Sequence, residues 1–196
     1  MTSTQADSRT PTSAGRVFSD QLHRIRDVHI EVESILQSLA ALQDENPCAR
    51  CTRVCCKEVF CRESVESDFL RFVLGPRVEG YSDHAGWYVP GSGCRLSYGR
   101  PLLCYEYFCE KFETQGASAI RQLSRALKTL YANALAGQHI LVVEDISRIS
   151  ATRLRILHHR LEGLRDRANA ALLQSLNERL GGKSAVGAVD DPGGGG

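Results

Sequence analysis

Five of the fourteen residues from Cys48 to Cys61, CARCTRVCCKEVFC, are cysteine, a density that an ordinary packed core does not use. Cys94, Cys104 and Cys109 follow, so all 8 cysteines lie between positions 48 and 109 and the long flanking arms have none. Such a window folds around metal or as a disulfide knot. The N-terminal stretch MTSTQADSRTPTSAGR is polar and carries no apolar run of signal-peptide length, which predicts a cytoplasmic, reducing location. Eight cysteines in 196 residues also fall below the density of disulfide scaffolds. Metal binding is therefore favoured over disulfides and over redox-active thiols.

Within the window, Cys48 and Cys51 form a CxxC knuckle, a turn that points two thiolates at one ion. Cys104 and Cys109 are a second compact pair, and neither pair alone completes a four-ligand shell, so the four are expected at one site or at two sites sharing a wall. Cys55 and Cys56 are adjacent and can hardly present both sulfurs to one mononuclear ion without strain. One is expected to ligate while the other serves a second metal or packs. Cys61 either joins a second thiolate site with Cys55 or Cys56 and Cys94, or is a buried apolar residue; the second reading is favoured. Thiolate-rich sites select zinc, copper(I) or iron–sulfur clusters.

The ordered set of Cys48, Cys51, the Cys55-Cys56 pair, Asp68, Gly93-Cys94, Arg100-Pro101, Cys104 and Cys109 resembles the CxxCxxCC cysteine-cluster family. That family is also called YkgJ-like and is described as zinc- or iron-chelating. The resemblance spans residues 48–110, roughly a third of the chain. The gap between Cys51 and the double cysteine is one residue longer than the family name implies, and Tyr105 and Phe108 stand where Arg and Pro are expected. The resemblance implies metal binding, by an iron–sulfur cluster such as [4Fe–4S] or by zinc, and no common reaction. Spacing and resemblance together give Cys48, Cys51, Cys55, Cys56, Cys94, Cys104 and Cys109 as the expected metal ligands.

The fold class expected is mainly α, with long antiparallel N- and C-terminal helices flanking a small Cys-rich module that contains a short β-hairpin. Residues 1–15 are polar and read as disordered, 16–180 as one domain with the metal module at 48–110, and 181–196 as a Gly-rich disordered tail. Phe18, Leu22, Ile25, His29, Val32, Leu36 and Leu39 follow a 4-3 spacing that lines one seam of a helix, capped near Ser19 and fraying near Asn46-Pro47. Leu154, Leu157, Leu161, Leu164, Ala168 and Ala171 repeat that spacing in a last helix stopped by Gly181-Gly182. The two seams are expected to pair antiparallel and bring the chain ends together.

Between them, Ser67-Asp68 caps a short helix ended by Gly75-Pro76. Residues 86–89 and 94–98 flank a Pro90-Gly91-Ser92-Gly93 turn, and Ala117 to Ala136 has helical periodicity. The run His139 to Val143 reads as strand or linker. The Cys window looks short of large apolar residues, so metal is expected to supply much of its folding energy.

His29 lies on the apolar seam about 28 Å along a straight helix from Cys48, too far to share its metal, and reads as a core histidine. His158-His159 are adjacent, not one turn apart, and do not form a metalloprotease pair. Arg148, Arg153, Arg155, Arg160, Arg165 and Arg167 are interspersed with Glu144, Asp145, Glu162 and Asp166, the pattern of a solvated face. A formal charge of +1 gives no argument for nucleic acid or lipid, and no run approaches the roughly 18 apolar residues of a membrane helix. Nucleotide-binding and hydrolase motifs are absent. The leading expectation is a cytoplasmic metal-binding protein whose helices present the site to a protein partner. The alternatives are an iron–sulfur or metal-dependent enzyme or electron-transfer component, and a metal-buffering or redox-sensing protein.

Overall fold

A computed structural model describes residues 13–42, 58–101, 104, 115–134 and 149–184. Cys48, Cys51, Cys55, Cys56 and Cys109 lie outside the described residues, as do the run from His139 to Val143 and the acids Glu144 and Asp145.

The described chain is mainly helical, with one two-stranded antiparallel hairpin. Helix α1 (Ser13–Ala41) buries Ile25, Val28, His29, Val32, Glu33, Leu36 and Leu39 along the stripe set by its 3- and 4-residue spacing. It begins at Ser13, six residues before the expected cap, so the stretch expected to be disordered contributes its first residues. Helices α2 (Glu58–Glu66) and α3 (Asp68–Leu74) follow, then a 3-10 turn (Gly75–Gly80) and the hairpin strands β1 (Tyr88–Val89) and β2 (Gly93–Cys94). Helices α4 (Gln115–Ala134) and α5 (Ala151–Ser184) complete the order. Ser150 caps α5: its Oγ accepts from the Arg153 N–H at 3.3 Å.

One apolar core joins α1, α3, α4 and α5. It packs Ile25, Val32 and Leu36 with Phe69 and Leu70, with Ile120, Leu127 and Tyr131, and with Leu154, Leu157, Leu161 and Leu164. None of the described cysteines, Cys61, Cys94 and Cys104, is among its buried residues.

Helices α1 and α5 run parallel, which corrects the antiparallel pairing expected from their seams. Arg165 Nη1 lies 3.3 Å from Glu31 Oε2, and farther along both helices Arg179 Nη1 donates to the Leu42 carbonyl at 2.7 Å. An antiparallel pair anchored at Glu31 and Arg165 would place Arg179 about 37 Å from Leu42, at 1.5 Å per residue. A 3-4 seam reads the same in both directions, and direction comes from the intervening chain, here long enough to cross back. The C-terminal stretch of α5 therefore lies beside the end of α1, where the chain leaves toward Cys48.

A second correction concerns the end of α5. Gly181 and Gly182 were expected to stop it, yet the helix continues to Ser184. Glycine inside a helix costs only about 1 kcal/mol relative to alanine, which does not terminate a helix of 34 residues. Among the described residues no helix is long and apolar enough to cross a membrane.

The parallel arrangement is open to direct test. A photo-crosslinking residue replacing Asp20 should label the peptide around Thr152–Arg155, and one replacing Glu31 the peptide around Arg165. Labelling near Arg179 from position 20 would restore the antiparallel pairing.

Candidate metal centre

The described part of the Cys window has a core of its own. Cys61, Leu74, Trp87 and Leu96 are buried together, with Val65, Val78, Tyr81 and Cys94 packed against them. Its large apolar side chains come from α2, α3 and the hairpin rather than from the cysteine-rich run.

Local chemistry explains how these pieces meet. Ser67 Oγ accepts from the Leu70 N–H at 3.3 Å and starts α3, and the Gly75 N–H caps its end on the Arg71 carbonyl. In the hairpin Tyr88 pairs with Cys94 and Val89 with Gly93. Trp87 extends that edge, its carbonyl accepting from the Arg95 N–H at 2.8 Å. Its indole N–H donates to Ser64 Oγ at 2.5 Å, and Ser64 in turn donates to the Cys61 carbonyl at 2.6 Å. A buried serine thus satisfies the tryptophan and ties the hairpin to α2.

Cys61 is 3% exposed and is walled by that cluster. Gly86, at φ +56°, lies so close that a Cβ there would stand 2.8 Å from Cys61 Cβ and 3.0 Å from its sulfur. Only glycine accepts both the dihedral and the approach. Those are the surroundings of a packing residue. Cys94 is half-buried at the edge of the same cluster. Cys104 is half-buried at the start of the chain's return, its N–H bonded to the Pro101 carbonyl at 2.9 Å. Among the described residues, no group of three or more His, Cys, Asp or Glu side chains converges as metal ligands do.

What the structure adds is how the segment before Cys104 is held. Glu33 is fully buried on α1, and its carboxylate accepts the backbone N–H of Gly99 and of Arg100, the latter at 3.0 Å. Arg100 folds back, donating from Nε and Nη2 to the Leu96 carbonyl at 2.8 and 2.6 Å. Arg77 lies 4.4 Å over the Tyr98 ring and donates to Ser97 Oγ at 3.0 Å. Gly99, at φ +74°, has no room for a side chain, since a Cβ would meet Leu74 Cδ2 at 2.5 Å. The six residues Leu96 to Pro101 are therefore fastened to both cores.

Behind Glu33 stands a buried polar network. His29 Nδ1 is 2.8 Å from the Tyr131 hydroxyl, and His29 Nε2 is 3.1 Å from Glu33 Oε2, outside hydrogen-bond alignment but within electrostatic contact. Burial, and next the Glu33 charge, push the Tyr131 phenol well above its usual range, so it keeps its proton. A buried phenol leaves its proton unpaired only at a cost of about 1–3 kcal/mol, which assigns Tyr131 as donor to Nδ1. The rings of His29, Phe69 and Tyr131 meet mutually at 5.3–5.5 Å and exclude water from this network. His29 is thus a buried core histidine, as its seam position suggests.

No family model, curated protein or solved structure matches the chain.

Sequence reasoning missed Glu33, although a signal was present. An acid between Val32 and Leu36, one helical turn after a seam histidine, can be buried only if something donates to it. Its donors, two backbone amides more than sixty positions away, leave no mark in composition. Nor did periodicity mark Glu63 on α2, a half-buried carboxyl whose pKa burial raises from 4.5 to about 7.

Because the folded state holds that proton more tightly than the unfolded chain, the contribution is complete below about pH 4.5 and is lost as pH rises through about 7. Glu63→Gln should therefore raise the melting temperature at pH 8 and leave it unchanged at pH 4. Equal shifts at both pH values would place the effect elsewhere.

Proposed function

We propose that this protein is a cysteine-cluster metal binder, cytoplasmic, whose thiolates hold zinc or a [4Fe–4S] cluster. The observation that carries the reading is the confinement of all 8 cysteines to positions 48–109, and of the three described, Cys61, Cys94 and Cys104, none belongs to the large helical core. Cysteines placed where packing has no use for them are ligands or reactive groups, and a dense set of soft donors suits thiophilic metals. The similarity to the CxxCxxCC cysteine-cluster pattern supports the same reading. Cys48, Cys51, Cys104 and Cys109 are the ligands proposed first, with Cys55 or Cys56 and Cys94 beside them. Cys61 is assigned to packing, because its buried apolar pocket suits a thiol better than a thiolate. The helices form a scaffold that presents the site to a protein partner.

Anaerobic purification followed by metal analysis and visible absorption tests this. The protein should carry metal, brown if it is an iron–sulfur cluster and colourless if it is zinc. Cys→Ser at positions 48, 51, 104 and 109 should each lower the metal content, while Cys61→Ala should keep it. A chain that takes up neither zinc nor iron and sulfide under reducing conditions would end the metal reading. A Cys61→Ala protein that lost half its metal would move Cys61 into a shell.

A further inference from the structure

We propose that Glu33 is a positioning residue for Cys104, so that the helical core sets the geometry of the C-terminal half of the thiolate site through one buried carboxylate. The inference rests on the metal-binding reading and goes beyond it, since neither spacing nor family resemblance involves α1 or α4.

The path from core to cysteine is continuous. Tyr131 on α4 holds His29 by its hydroxyl at 2.8 Å. His29, one turn before Glu33 on α1, faces the carboxylate from 3.1 Å. Glu33 receives the N–H groups of two consecutive residues, Gly99 and Arg100, which fixes the direction of the chain there as well as its position. Buried Pro101 follows, with its φ locked by the ring, and its carbonyl receives the Cys104 N–H at 2.9 Å. Between carboxylate and cysteine backbone there is one proline-stiffened turn. A buried charge with no solvent is costly unless donors surround it, and a hydrophobic residue in its place would fill the same seam. What the carboxylate adds is a directional hold on the strand of chain that carries Cys104. Outer groups that orient ligands in this way typically change metal affinity by about 10- to 100-fold.

Cobalt(II), which occupies thiolate sites and reports their geometry in its visible bands, is the probe. It is titrated into the reduced, metal-free full chain and into Glu33→Gln, Tyr131→Phe and Leu127→Ala. Gly99 and Arg100 donate to different carboxylate oxygens, and glutamine puts an NH2 donor in place of one of them, so Glu33→Gln should bind cobalt about tenfold more weakly, with shifted bands. Tyr131→Phe removes only the outermost link and should shift the bands in the same direction by less, a result that decides the matter should Glu33→Gln not fold. Leu127→Ala loosens the same core without touching the path and should keep the wild-type spectrum and affinity. Wild-type affinity and bands in both Glu33→Gln and Tyr131→Phe, or an equal loss in Leu127→Ala, would overturn the inference while leaving metal binding intact. A wild-type chain that takes up no cobalt would instead overturn the metal reading, and this inference with it.

Discussion

A carboxylate buried in an apolar seam has to be met by donors, and in this protein Glu33 accepts from two backbone amides, with the His29 ring in electrostatic contact beside them. The rest of the arrangement depends on that requirement. The two amides belong to the stretch that links the hairpin to Cys104, so satisfying Glu33 docks the cysteine-bearing half of the molecule onto the helices. Losing the acceptor would leave two backbone donors without their partner, at about 1–3 kcal/mol for each donor kept from water. A stability of the usual size, about 5–15 kcal/mol, does not absorb that easily.

The docking has a packing counterpart. Leu74 belongs to the small cluster around Cys61 and Trp87, and Gly99 lies directly on it. The same glycine whose N–H reaches Glu33 thus seals the smaller core. Gly86 plays the matching part on the other side, letting the hairpin approach Cys61. Apolar burial holds each cluster, and the directional hydrogen bonds decide how the two clusters are joined.

Much of the helical frame was legible in the sequence, because burial imposes a 3-4 period. The stripes Ile25–Leu39 and Leu154–Ala168, the Ser67 cap and the turn between the hairpin strands all left local marks. Direction left none. A seam of leucines is the same read forwards or backwards, which is why the parallel course of α1 and α5 had to come from the Glu31–Arg165 and Leu42–Arg179 contacts. Glycine was over-read at 181, where packing upstream carries the helix on, and under-read at Gly86 and Gly99, where the need arises from side chains distant in sequence. At the candidate site, the burial of Cys61 was anticipated, whereas the Glu33–Gly99–Arg100 junction was not. It pairs one side chain with anonymous backbone.

The amides of Gly99 and Arg100 carry the junction between the helices and Cys104. They lie outside the two-stranded sheet, in an irregular segment, so without Glu33 they would exchange with solvent like those of an ordinary loop. Native-state hydrogen exchange on the full chain measures this directly. The two amides should be protected to the same free energy as those of Ile25 and Leu36 in α1, opening only when the core opens. Exchange at the rate of the hairpin-turn amide of Ser92 would mean that the carboxylate does not hold the segment, and the link between the helices and Cys104 would be lost.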